Sequence, residues 1–223
     1  DGLATELSDV FQDGFGSELG WDRTDIENAF RRSDAWGILR APTNRAMGYA
    51  FLSAPSELLT GSHLLWEDAV CLRKSVQGYG YASYMISTAA AKLYPNRRFG
   101  WLGGRTQNPL MMLRYRRLGK TMPFDVPYTT QHGRMVMDFL VSNISEARDP
   151  SVDRRLERET GICRRVYPAG RLGDYGVGFE ATALMKRKLD AWHFDRDRGD
   201  AVLVVSYLTN PLNRSQNPRG LGE

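Results

Sequence analysis

A chain of 223 residues with 42% hydrophobic content fits one large domain or two small ones with a packed core. Its 30 Lys and Arg against 26 Asp and Glu leave a net charge of +4, with acids and bases interleaved, a balance that suits an anionic ligand better than it argues for nucleic acid. No run approaches the ~20 apolar residues of a membrane span and the opening DGLATELSDVF lacks a signal pattern, so the expectation is a cytoplasmic protein with no membrane or nucleic-acid partner. Cys71 and Cys163, without CxxC or Cys/His spacing, exclude a disulfide framework and a structural zinc and read as two buried thiols.

In chain order, Leu3, Leu7, Val10, Phe11 and Phe15 recur at helical spacing over residues 3–16, and Ile26, Ala29 and Phe30 do so over 22–32 behind a Thr24/Asp25 start. AWGILRA and AMGYAFLSA flank the turn PTNR and predict a hairpin, and LLWEDAVCL predicts a third strand. Ala82 to Leu93 carries Met85, Ile86, Ala89, Ala90 and Leu93 on one stripe and is closed by Pro95. RRFGWLGGR is the next strand. Pro109 opens a helix with Met112, Tyr115 and Leu118 on one side and Gly119 at its end, and RMVMDFLVS predicts a strand over 134–142. The alternation predicts an α/β domain over residues 1–143 with a mixed sheet.

Residues 144–223 form an extension. SVDRRLERETG reads as a capped helix stopped by Gly161. The stretch from Val166 to Trp192, followed by DAVLVVSYLTNP, repeats the order strand, glycine turn, helix, strand, Asn-Pro. Val166, Pro168 and Arg171 stand before Gly176 and Gly178 much as a strand end stands before Gly78 and Gly80. Two readings follow: a degenerate second copy of the first half, or an ordinary β–α–β extension. The tail NRSQNPRGLGE is polar.

The segment SVQGYGYASYMISTAAAKL joins a strand end to a helix through a turn holding Gly78 and Gly80. Bare amides at a helix N-terminus attract phosphate oxygens, and glycine leaves room for the ligand to approach. A dinucleotide fingerprint does not fit, because GYGYAS has no third glycine and no acidic strand end ~20 residues on, and a Walker A loop is excluded by the missing GK[ST].

What does fit is [QR]-x-x-G-x-[GA], read as Gln77-Gly78-Tyr79-Gly80-Tyr81-Ala82 and set at Gln77 rather than Ser75, because only then do Met85 and Ile86 face the core. This resembles motif A of the GNAT acyltransferase superfamily. Leu72 stands where that family has a strand-end valine, with Lys74 in place of its common proline. Leu102, Arg105, Asn108, Tyr115 and Gly119 fall in register on the family's following strand and helix. The resemblance, over about residues 36 to 142, implies a GNAT-like splayed sheet flanked by helices. It also implies an acyl-CoA donor, acetyl-CoA or longer, whose pyrophosphate lies on the glycine-turn amides. Coenzyme contacts would then come from Leu72, Arg73, Gln77, Gly78, Tyr79, Gly80, Tyr81 and Ala82, mostly through backbone, and from Asn108 on the pantetheine arm.

Acyl transfer to an amine needs a neutral nucleophile, a stabilised oxyanion and a proton for the leaving thiolate. Tyr115 matches the family tyrosine that donates at the thioester sulfur. Gly103 occupies the place where some members carry an acid, so the base falls to Glu67 or Asp68, or to a water chain. Simple alternation places Asp68 on the face of Val70 and Leu72 and favours it. His63, His132 and His193 lack partners in sequence. Trp21, Phe15 and Tyr128 lie where family members wall the acceptor site. The expected function is N-acylation of an amine on a small molecule or peptide, with an acyl-carrier protein as the alternative donor. The rival is a coenzyme-binding or regulatory module with reduced catalysis, which Gly103 favours. Nothing in these residues speaks to oligomeric state.

Overall fold

The computed structural model describes residues 2–16, 22–55, 57–59, 62–144, 155–167, 170 and 183–210. The elements run α1 (Gly2–Phe15), α2 (Arg23–Arg32), β1 (Ala35–Arg40), β2 (Ala46–Ser53), β3 (Glu57–Leu59), β4 (Ser62–Leu72), α3 (Tyr81–Leu93), β5 (Phe99–Thr106), α4 (Pro109–Leu118), β6 (Gly119–Met122), α5 (Gln131–Asn143), β7 (Leu156–Glu157), β8 (Ile162–Cys163), α6 (Ala183–Ala191) and β9 (Ala201–Leu208). The chain is therefore α/β, as its alternating patterns predict. It divides into two compact units, one made of Asp1–Ala54 with Leu65–Phe99, the other of Pro55–Leu64 with Gly100–Asn210.

In the first unit β1, β2 and β4 form an antiparallel meander, with Trp36 opposite Phe51 and Tyr49 opposite Cys71. The PTNR turn places Asn44 at φ 68°, a left-handed conformation that asparagine tolerates. One sheet face, Tyr49, Phe51 and Cys71, packs with Leu7, Val10 and Phe11 of α1 and Ile26 and Ala29 of α2. α2 fills the predicted range, with Asp22 rather than Thr24 or Asp25 as its cap: Asp22 accepts from the Asp25 N–H and donates its own N–H to the Asp25 carboxylate, both at 3.0 Å, in a closed capping box. The opposite face receives α3. Gly37 lies there, and a Cβ on it would sit 3.2 Å from the Met85 side chain. Met85, Ile86, Ala89 and Ala90 are buried as the stripe predicts, but Leu93 is 50% exposed, so the stripe ends a turn early.

In the second unit β9 pairs antiparallel with β5, β6 and β8. Its core Val202, Leu203, Val204 and Val205 are all fully buried, which explains an unbroken apolar run instead of alternation. Two predicted elements are corrected here. Residues 134–142 are not a strand but the body of α5, where Gly133, Val136, Met137 and Leu140 are buried at helical spacing and Thr130 caps the Gly133 N–H at 3.0 Å. The Val/Met/Phe/Leu composition suits a strand, yet its apolar period is 3.6. Over 155–163 the chain forms the β7–β8 hairpin, not a helix, with Gly161 at φ 74° in the turn.

DAVLVVSYL completes the sheet that contains β5, and the second unit runs through residues 143 and 144 without a boundary. Pro168, Arg171, Gly176 and Gly178 of the supposed second copy lie outside the described residues.

An ionic network ties the end of this unit together. Arg164 donates to Glu157 through Nε at 2.9 Å and Nη2 at 3.0 Å, to Asp200 at 2.6 Å, and to the carbonyls of Trp192 and His193. Asp200 is 2% exposed and also accepts from the N–H groups of Arg165 and Asp195. Burial opposes ionisation of Glu157, but the Arg164 guanidinium, the Thr160 hydroxyl and Arg155 outweigh it and hold the carboxyl below its ordinary value.

Arg164→Met should therefore cost about 3 kcal/mol in denaturant unfolding, because it leaves the Asp200 charge buried and unpaired. A depressed folded pKa stabilises above the unfolded value of 4.5 and loses that contribution as pH falls through the folded pKa. Glu157→Gln should accordingly be less stable than the wild type at neutral pH, and the gap measured by thermal melts should close as the pH falls below 4.5.

Candidate functional site

The glycine turn is built from three pieces. β4 ends at Leu72, a single 3-10 turn covers Lys74–Val76, and Gly78 and Gly80 then stand at φ 85° and 84° before α3 begins at Tyr81. A Cβ on either glycine would meet no atom of the described residues within 4 Å, so among these glycine is needed for its left-handed backbone and not to avoid a neighbour. Gly80 is the N-cap of α3 and has no side chain to cap its first turn. The opening amides and the positive end of the helix dipole are therefore left without a side-chain cap, an arrangement suited to an anion. Tyr79 between the glycines is 73% exposed.

The residues predicted to contact a ligand separate into two groups. Gly78, Tyr79 and Gly80 are exposed, and Tyr81 and Ala82 half-buried on the first helical turn. Leu72, Arg73 and Gln77 are engaged in the fold. The Leu72 carbonyl accepts from Gln77 Nε2 at 2.8 Å. Arg73 is buried, with Nε on the Ala46 carbonyl at 2.8 Å, its N–H on the Met47 carbonyl at 2.8 Å and its own carbonyl accepting from Val76 at 3.0 Å.

The two carboxylates of β4 are rearranged by a bulge. Gly48 pairs with Leu72, Ala50 with Val70 and Leu52 with Glu67, while Phe51 pairs with Ala69, leaving Asp68 as the extra residue. Cross-strand partners share a face, so Glu67 lies on the face of Val70 and Leu72. Alternation, which placed Asp68 there, does not carry through the bulge. Asp68 is turned to the hydroxyls of Ser33 at 3.1 Å and Ser53 at 2.6 Å. Glu67 is 5% exposed.

Cys71 beneath the strand end is buried, and that burial pushes its thiol well above the ordinary range; its Sγ donates to the Val10 carbonyl at 3.5 Å. It and Cys163 are both buried, as predicted.

In the second unit Asn108 caps α4, its side-chain oxygen accepting from the Leu110 N–H at 2.9 Å. That bond uses the carbonyl and leaves the Nδ2 group as the donor suited to an external ligand. Tyr115 is 1% exposed on the buried side of α4 beside Met112, and its backbone carbonyl accepts from Ser206 Oγ at 3.0 Å. Gly103 lies in β5 opposite Val205.

Tyr128 is no wall of an open site: it is buried, its hydroxyl donates to the Leu203 carbonyl at 3.1 Å, and burial drives its pKa upward. Phe15 rests against Phe11 with ring centroids 4.9 Å apart, and Trp21 lies outside the described residues. His63 stands 3.7 Å from Glu57, and His132 stacks on Trp101. Among the described residues no three His, Cys, Asp or Glu side chains are grouped to hold a metal ion. No described helix is long and apolar enough to cross a membrane.

No protein-family model matches the chain, and no curated protein does. Among solved structures it is similar to a GNAT superfamily phosphinothricin acetyltransferase from Sinorhizobium meliloti in complex with AcCoA, at 12% identity over 97% of this chain and 95% of that one, with a TM-score of 0.45. It is also similar to Rv2747 from Mycobacterium tuberculosis in complex with CoA and NLQ, at 9% identity over 93% of each chain and a TM-score of 0.41. PH1933 from Pyrococcus horikoshii OT3 is 18% identical over 52% of this chain and 79% of that one, with a TM-score of 0.41.

Gly80→Ala should lower stability by about 1–2 kcal/mol through left-handed strain alone, since no atom of the described residues stands where the methyl would go. Asn108→Ala should cost about 1 kcal/mol in thermal unfolding through loss of the α4 cap, and Asn108→Ser or Asn108→Asp should recover most of it.

Proposed function

We propose that the protein is a GNAT-type N-acyltransferase that takes an acetyl or longer acyl group from coenzyme A and passes it directly to an amine on a small molecule or peptide. The observation that carries this reading is the turn at the mouth of α3, with two left-handed glycines, an uncapped first helical turn and clear space at both Cβ positions. The in-register matches at Leu72, Gln77, Asn108, Tyr115 and Gly119 supply its chemical identity.

The amides from Gly78 to Ala82 take the pyrophosphate, and Asn108 Nδ2 donates to the pantetheine arm. The amine nitrogen attacks the thioester carbonyl carbon, the N–C bond forms and the C–S bond breaks. Glu67 accepts the amine proton, and the Tyr115 phenol gives a proton to the departing thiolate. Glu67 takes this role ahead of Asp68 because of its pairing with Leu52, and because Asp68 already holds two hydroxyl donors. Arg73 contributes to the frame of the turn rather than to the ligand.

A coenzyme-binding module with reduced catalysis is the second reading, favoured by Gly103 in β5 where an acid stands in some members of the family it resembles. The two readings separate on turnover. Tyr115→Phe and Glu67→Gln should each lower kcat by about 10²–10⁴-fold with the coenzyme Kd unchanged. Asp68→Asn should have a smaller effect on kcat. Acetyl-CoA at about 100 times its Kd should stabilise the fold by ~2.7 kcal/mol. If neither acetyl-CoA nor longer acyl-CoAs raise the Tm, the coenzyme reading fails, and a shift seen only with an acylated carrier protein moves the donor to that class.

A further inference from the structure

We infer that Asp13 and Gln77 are positioning residues, a clasp that ties the last turn of α1 to the glycine turn and so sets the direction of the amides at the mouth of α3. The inference rests on the reading of that turn as the coenzyme's phosphate seat.

The clasp joins segments distant in sequence. Asp13 Oδ2 accepts from the Lys74 N–H at 2.9 Å. Lys74 opens the 3-10 turn, whose own N-cap residue, Arg73, makes no side-chain cap bond, so the cap comes from another helix. Three residues on, Gln77 Nε2 donates to the Leu72 carbonyl at 2.8 Å and reaches the Gly14 carbonyl at 3.5 Å.

Gly14 is what lets α1 come close enough. A Cβ on it would lie 2.6 Å from the Leu72 carbonyl oxygen and 2.8 Å from Cys71 Sγ. With the Cys71 thiol on the Val10 carbonyl, the last two turns of α1 touch the segment 71–77 at three points.

Beyond Gln77 the Cβ directions of Gly78 and Gly80 meet no atom of the described residues within 4 Å, so no side chain is lodged against either glycine there. Two glycines with maximal backbone freedom would sample many amide directions. Their geometry is therefore held from its two ends, by α3 on one side and by the clasp on the other. Asp13 and Gln77 are both exposed, so removing either loosens the turn without opening the core.

The test uses the full chain and two readouts. In the ligand-free protein, backbone ¹⁵N order parameters at Gly78 and Gly80 should fall in Asp13→Ala and Gln77→Met, and hold in Asp13→Asn and Gln77→Arg, which keep the acceptor and the N–H donor. In calorimetric titration with acetyl-CoA, the first pair should bind about tenfold more weakly and the second pair within about twofold of the wild type, corresponding to the loss of one hydrogen bond to a well-placed group. Unchanged order parameters in Asp13→Ala and Gln77→Met overturn the clasp. A lower Tm with an unchanged Kd well below melting also overturns it, because the bonds would then serve stability alone. Loosened glycines in a protein whose wild type binds no acetyl-CoA leave the clasp standing and sink the coenzyme reading instead.

Discussion

Opposite the two residues Phe51 and Leu52, β4 supplies three, Glu67, Asp68 and Ala69, and the unmatched one is an aspartate whose charge is met by two hydroxyls. A strand has a side-chain period of two, so one added residue reverses the faces of everything before it relative to everything after. Because of that reversal Glu67 lies with Val70 and Leu72 on the α3 side of the sheet, while Cys71 lies with Tyr49 against α1. Asp68 is spent at the C-cap of α2, where Ser33 donates to it. The chemistry proposed for Glu67 depends on this local fault in the ladder.

The same strand delivers the glycine turn, and the turn shows a division of labour among neighbouring residues. Arg73 and Gln77 use their side chains on backbone carbonyls of the protein, and Leu72 offers its carbonyl to Gln77. Only after these bonds are made does the chain enter the open stretch Gly78-Tyr79-Gly80. A ligand-binding amide cluster needs both exposure and a fixed direction, and these pull against each other because exposed backbone is mobile. Here the conflict is resolved by ordering the flanks and leaving the middle bare.

In the second unit stability comes from another source. β9 is buried except at Tyr207 and pairs with β5, β6 and β8, and the β7–β8 hairpin beside it is short. A two-residue ladder holds little by itself. Arg164 makes up for this by joining Glu157 of the hairpin, the carbonyls that follow α6 and the buried Asp200 before β9. Such a network favours a single arrangement of the loop-rich end of the unit, since Asp200 without Arg164 would be a buried charge with no ionic partner.

Much of this was legible from local pattern. The helical stripe of Met85, Ile86, Ala89 and Ala90, the PTNR hairpin, Pro109 opening α4 and the Gly78/Gly80 turn all follow from periodicity and backbone preference, which act over a few residues. What misled was also local. RMVMDFLVS has strand composition but a helical period, and SVDRRLERETG has helical charge spacing but is drawn, from Leu156 onward, into a hairpin beside β9. The bulge at Asp68, the reach of Asp13 to Lys74 across 61 positions and the convergence on Arg164 carry no signal in any short window. The sequence by itself determined which segments could be helix, strand or glycine turn. Only the tertiary structure decided which carboxylate faces which side and what holds the turn, because those depend on strand register and on contacts between segments far apart in the chain.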